Sequence, residues 1–169
     1  MAHLKEIGYN NEQAVAYAHQ WAFGRNPKYF NLTGLGGDCT NFISQCIYAG
    51  APVMNYNTNL GWFYNSPVSR APAWTSVHAL FNFLTKNTGV GPYGYVIPLE
   101  EAVPGDVLQL SLNNVRFHHS LLVVEVGVPS IPENILVSTH TYDCDYRKLS
   151  SYRYHYLRAI RIAGVRQWA

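Results

Sequence analysis

The sequence predicts an α+β domain, with N-terminal helices packed on an antiparallel β-sheet. Three observations carry this. Up to about Leu84 the apolar residues recur at helical spacing. After Gly89 they come instead in short runs, at residues 107–112, 118–126, 135–139 and 154–162. The gaps between these runs are mostly short, which favours antiparallel meander pairing over parallel strands joined by long crossovers.

The first helix is expected over residues 11–23. Asn10 or Asn11 supplies its N-cap, Glu12 suits its first turn, and Gly24 ends it. Ala14, Val15, Ala18, Trp21 and Ala22 form its apolar stripe. A turn-rich stretch leads to Gly34-Leu35-Gly36-Gly37. The next helix starts near Asp38 as N-cap and closes at Gly50. Its core face is Cys39, Phe42, Ile43, Cys46 and Ile47. Residues 51–74, rich in Asn, Tyr and Pro, read as a functional loop. A third helix is expected over residues 76–84, burying Val77, Leu80, Phe81 and Leu84. Asn113-Asn114 marks the turn after the first predicted strand.

The 169 residues match a single domain spanning 1–169. Charged residues are only 13%, about half the ~25% of an average soluble chain. Aromatics reach 14%, led by 13 Tyr, and Asn is abundant. Such a surface suits a polar, uncharged ligand. The net charge of +2 is too small to steer a polyanion, so no nucleic-acid partner is expected. Arg147, Lys148, Arg153, Arg158, Arg161 and Arg166 cluster near the end, interleaved with Tyr152, Tyr154 and Tyr156. Strand alternation with solvated arginines explains them. No apolar run is long enough for a membrane span, and no signal peptide is evident. A cytoplasmic or spore-associated location is favoured, with export an alternative.

Three cysteines leave at least one thiol free. Cys39 and Cys46 lie ~10 Å apart along one helix, beyond the ~7 Å reach of a disulfide. Cys46 reads as core and Cys144 as a bystander. Cys39 follows two glycines and opens a helix. Unpaired N–H groups there favour a thiolate and lower the thiol pKa. They also suit an oxyanion formed after attack. A cysteine nucleophile needs a base. His118 and His119 begin an apolar strand, and only one of two strand neighbours faces the helix of Cys39. His140 follows the next strand, with Asp143 three residues on.

A Cys at a helix start, a His at a strand start and a polar residue on the next strand resemble papain-like proteins. More narrowly they resemble the small bacterial cysteine amidases and peptidases of the cell wall, including the CHAP-type amidases. Pro104-Gly105-Asp106-Val107-Leu108 and His119-Ser120-Leu121-Leu122-Val123 carry that likeness. Gly36-Gly37-Asp38-Cys39-Thr40-Asn41-Phe42, Ala71-Pro72-Ala73-Trp74, His119-Ser120 and Val137-Ser138-Thr139-His140-Thr141-Tyr142-Asp143 resemble the family called "Putative amidase domain". The resemblance implies a papain-like fold and a cysteine amide hydrolase acting on a peptide or peptidoglycan fragment. It makes Cys39 the nucleophile, His119 the base and His140 the third member, with Asp143 as competitor. No metal or organic cofactor is implied. Classical papain-like peptidases place a Gln shortly before the Cys, whereas Leu35-Gly36-Gly37-Asp38 stands here, so the second oxyanion donor is unassigned. Asp38 either caps the helix or binds a substrate amine. Trp62 and Trp74 are candidates to line a groove.

Three alternatives compete. Cys39, His119, His140 and Asp143 offer mixed ligands for zinc. The aromatic loop suits a non-catalytic module that binds a glycan or peptide. An acyltransferase would use the same thioester.

Overall fold

The computed structural model describes residues 1–113 and 115–169. Asn114, half of the expected Asn-Asn turn, lies outside them. The elements run in the order β1 (Leu4–Ile7), α1 (Asn11–Trp21), α2 (Cys39–Gly50), β2 (Tyr64–Ser66), β3 (Ser69–Arg70), α3 (Pro72–Thr75) and α4 (Val77–Lys86), followed by β4 (Gly91–Ile97), β5 (Val107–Ser111), β6 (His119–Val126), β7 (Ile135–Thr139), β8 (Cys144–Lys148) and β9 (Tyr156–Trp168). The class is α+β, as expected. None of the described helices is long and apolar enough to cross a membrane.

Local chemistry sets the helix starts. The Asn10 side chain accepts from the N–H of Gln13, and Ser76 caps α4 through Ala79 N–H. The residue before α2 departs from expectation. Asp38 precedes the helix, but its side chain makes no cap bond, because its carboxylate is committed elsewhere. Residues 51–74 are more ordered than a loop. They hold the β2–β3 hairpin, the helix α3 and an Asn55–Trp62 bridge.

All pairings in the main sheet are antiparallel. β5, β6, β7 and β8 form the expected meander, with Leu108 opposite Leu121 and Leu122 opposite Ser138. The long β9 returns to pair with β5, then with β1, while β4 takes its other edge. Strands β1, β4 and β8 were not legible as apolar runs, and β1 and β8 hold no buried residue. Of the arginines expected to be solvated, Arg153 is exposed, but Arg158, Arg161 and Arg166 are partly buried and paired. Arg161 meets Asp106 at 3.0 Å, Arg158 Nε donates to Gln109, and Arg166 lies over Tyr93.

The sheet has a core on each face. Val107, Leu122, Val124 and Ile160 pack under Phe42, Cys46, Trp62, Trp74 and Phe83. Leu108, Leu110, Leu121 and Val123 point the other way, against Ile135, Val137 and Leu149. This is why the middle of β6 reads as a continuous apolar run rather than an alternating one. Helix α2 is buried on every side from Cys39 to Ile47, not along one stripe. Asn10 N–H donates to the Gly50 carbonyl at 2.9 Å, bringing the end of α2 against the start of α1.

That contact leaves no room for a side chain at position 50. A Cβ there would sit 2.5 Å from the Asn10 carbonyl oxygen, whereas one at Gly8 meets nothing within 4 Å. Gly50→Ala should therefore cost about 1–3 kcal/mol in urea unfolding. Gly8→Ala should stay within about 0.5 kcal/mol of the parent.

Candidate active site

Cys39 occupies the first position of α2 and is 7% exposed. The N–H groups of Ser120 and Thr40 donate to its sulfur, and the Thr40 hydroxyl lies 3.8 Å away. Thr40 Oγ1 in turn meets Ser120 Oγ at 2.9 Å. Ser120 Oγ also accepts from Gln109, whose amide reaches the Val77 carbonyl. The start of α2 is thus fastened to the start of β6, so Cys39 and His119 belong to adjoining elements.

The electrostatics reverse the helix-start expectation. Burial pushes the Cys39 thiol above its ordinary value, and the neighbouring Asp38 charge adds to the rise. The three hydrogen bonds to sulfur pull in the other direction but do not cancel burial. Cys39 is a thiol at rest.

His119 is not hydrogen-bonded to Cys39. Its ring lies 5.9 Å from that of Tyr152, and the His118 ring is 6.3 Å away at an interplanar angle of 18°. His118 is exposed, whereas His119 is half-buried at the start of β6. His118 N–H donates to the Leu110 carbonyl, while His119 is the register partner of Leu110. Burial, then the charges of His118 and Arg147, push the His119 pKa down from 6.5 to about 4. It is a neutral imidazole near pH 7.

His140 and Asp143 do not orient His119. His140 is buried, with Nδ1 2.5 Å from Asp38 Oδ2 and Nε2 2.8 Å from the Trp21 carbonyl. Its ring stacks on Phe42 at 3.9 Å. Asp143 takes a two-pronged contact from Arg25, at 2.9 and 3.0 Å. Arg25 Nε also stands 3.5 Å from Asp38 Oδ2. The sequence reading missed Arg25, which sits in an irregular stretch with no spacing to mark it.

Asp38 is 1% exposed, out of reach of a substrate amine, and its side chain makes no cap bond to α2. Oδ1 accepts from Leu32 N–H and Asn41 Nδ2, both at 2.9 Å. Burial pushes its pKa up, but the bonds from His140, Asn41 and Leu32 outweigh this, and the carboxyl titrates below its ordinary value. Trp62 and Trp74 line no groove. Both are fully buried, donating to Ser44 Oγ and Asn41 Oδ1. Cys46 is core, and Cys144 meets the Tyr152 hydroxyl at 3.3 Å. Among the described residues no three His, Cys, Asp or Glu side chains converge to hold a metal. His140 and Asp143 are drawn instead to Asp38 and Arg25.

The family described as "Putative amidase domain" matches residues 8–163. The chain belongs to this family. The amidase family name suggests amidase-type activity. A relative from Bacillus subtilis strain 168, called "Uncharacterized protein YhbB", is 34% identical over 142 residues. The match covers 82% of this chain and 43% of that relative, so the chain spans less than half its length. No solved structure matches.

The depressed His119 pKa has a consequence for stability. As pH falls below 6.5 the unfolded chain gains a proton at this ring, and the folded chain does not until about pH 4. The folded state should lose up to about 3 kcal/mol over that window through this one group. His119→Gln should flatten the decline. Urea melts of both proteins between pH 4 and 7.5 measure it, and parallel pH profiles would refute the assignment.

Proposed function

We propose that this amidase-family chain is a cysteine-dependent amide hydrolase on a papain-like arrangement, with Cys39 as nucleophile and His119 as base. The observation that carries the reading is the seat of Cys39. A free thiol opens a buried helix, with two backbone N–H groups aimed at its sulfur, one of them from Ser120 beside His119. Those N–H groups stabilise negative charge on sulfur once the proton leaves.

In this mechanism the substrate displaces the water around the two side chains, and the His119 ring turns from Tyr152 toward sulfur. The neutral imidazole takes the Cys39 proton. The thiolate attacks the amide carbonyl carbon, and the electron pair moves onto oxygen. As the C–N bond breaks, the leaving nitrogen takes the proton from His119. A thioester remains. His119 then accepts a proton from water, hydroxide adds to the thioester, the C–S bond breaks to release the acid, and His119 returns the proton to the Cys39 sulfur. The chemistry calls for no metal or redox partner. Asp38 and His140 act by holding the chain on either side of Cys39, rather than as a third member aligned on His119.

For substrate class we propose peptide amides of the bacterial cell wall, including peptidoglycan fragments. This rests on the likeness of the Pro104-Gly105-Asp106 and His119-Ser120 segments to cell-wall cysteine amidases. Turnover of stem peptides and of unrelated peptide amides tests both levels. Cys39→Ser should lower turnover by roughly a thousandfold or more, and His119→Ala by about 10²–10⁴. Turnover that survives Cys39→Ser would overturn the cysteine mechanism. Equal turnover of both substrate sets would overturn the cell-wall assignment alone.

A further inference from the structure

Arg25 lies between two carboxylates that belong to different parts of the fold. Asp38 precedes Cys39, and Asp143 closes the turn between β7 and β8. Its Nη1 and Nη2 hold both oxygens of Asp143, and Nε approaches Asp38 Oδ2. The remaining donor directions meet the Gly24 carbonyl, Asn31 Oδ1 and Thr33 Oγ1, and Nη1 also stands 3.2 Å from His140 Nε2. Every nitrogen of the fork has an acceptor, and the arginine side chain is 23% exposed. A lysine, with one charge centre, cannot hold this planar pattern.

The turn that Arg25 grips carries backbone strain. Thr141 and Tyr142 have φ of 64° and 59°, in the left-handed region that non-glycine residues seldom adopt. Thr141 Oγ1 accepts from the N–H of Asp38 at 3.2 Å. The strained turn therefore bears directly on the residue before Cys39. Asp38 is the charged neighbour that acts on the thiol.

We infer that Arg25 is a positioning residue for Cys39, locking the β7–β8 turn to the start of α2 and offsetting the Asp38 charge beside the sulfur. It touches no reacting atom and acts through Asp38. This deepens the cysteine-hydrolase reading. It names a residue on which the state of the nucleophile depends, and it holds for the thiol whether or not an amide is turned over.

The charged and titratable groups around Asp38 are Arg25 from the α1–α2 connection and His140 from the turn, with Asp143 across the guanidinium. Beside Cys39 the charged group is Asp38, while His119 precedes Ser120 on β6. Removing the Arg25 charge leaves Asp38 less compensated and makes the thiolate harder to form. A structural stitch alone would do the opposite, since loosening the fold exposes sulfur and speeds its reaction.

The test is the alkylation rate of each cysteine against pH, read by mass spectrometry in the native full chain. The variants are Arg25→Gln, which removes charge, and Arg25→Lys, which keeps it. In Arg25→Gln, Cys39 should react about three- to tenfold more slowly at pH 8, its profile displaced upward, while Cys144 is unchanged and Cys46 stays protected. Arg25→Lys should keep the Cys39 profile within about twofold of the parent, because charge dominates, while its urea midpoint falls. An unchanged Cys39 rate in Arg25→Gln, or faster reaction of Cys39 and Cys46 together, overturns the inference. If Arg25→Gln does not fold, Arg25→Lys decides, and a threefold or larger slowing there refutes it. Loss of the Arg25 effect leaves the hydrolase reading standing. Amide turnover surviving Cys39→Ser removes that reading and leaves the Arg25 effect intact.

Discussion

The contact between Asp38 and His140 is the constraint on which the site depends. A carboxylate taken out of water is costly unless its oxygens are fully engaged. Here both are, by a ring nitrogen, an amide, a backbone N–H and, at 3.5 Å, a guanidinium. These partners come from the turn after β7, from α2, and from the segment between α1 and α2. One buried anion thereby fixes the approach of three chain segments to the first residue of a helix. His140 extends the tie to α1 through the Trp21 carbonyl, and to α2 by stacking on Phe42.

A buried network of this kind has two consequences that pull against each other. It fixes backbone geometry closely, because breaking any one link leaves a buried polar group without a partner. It also places negative charge beside a buried thiol, which raises the energy of the thiolate. Arg25 lies where both effects meet. Its pairing with Asp143 anchors the end of the turn in which Thr141 and Tyr142 hold left-handed conformations. Its proximity to Asp38 moderates the charge that the thiol experiences.

Much of the fold was legible because periodicity records burial. The stripe of α1, the one apolar face of α2 and the apolar middle of β6 each follow from what they pack against. Strand β8 left no such mark, since its residues are partly exposed and polar. The same limit applies to the site. Cys39 was visible from its place after two glycines at a helix start. The sign of its pKa shift was not, because burial outweighs the helix terminus and depends on α2 lying inside the molecule. Trp62 and Trp74 sat in an Asn- and Tyr-rich segment that looked like a groove wall, yet each indole N–H finds a buried partner and the rings fill the core. Asp38 looked like a cap because of its position, and its partners come from residues as far away as His140. Local spacing carries no information about a bond across 102 residues.

These pKa directions also bear on how such a site would work. With His119 near 4 and the Cys39 thiol raised, the resting pair is neutral on both sides. Every unit separating the two values adds about 1.4 kcal/mol to the cost of moving the proton from sulfur to nitrogen. That cost comes mainly from burial, so further exclusion of water by a substrate would not remove it. What lowers it is a fixed set of dipoles aimed at the sulfur and a His119 ring close enough for the two opposite charges to stabilise each other. The Ser120 and Thr40 N–H groups already provide the first. The second requires the ring to leave Tyr152. In the proposed mechanism, reactivity is therefore limited by the orientation of His119, and the nucleophile stays protonated and sheltered until a bound amide draws the ring toward it.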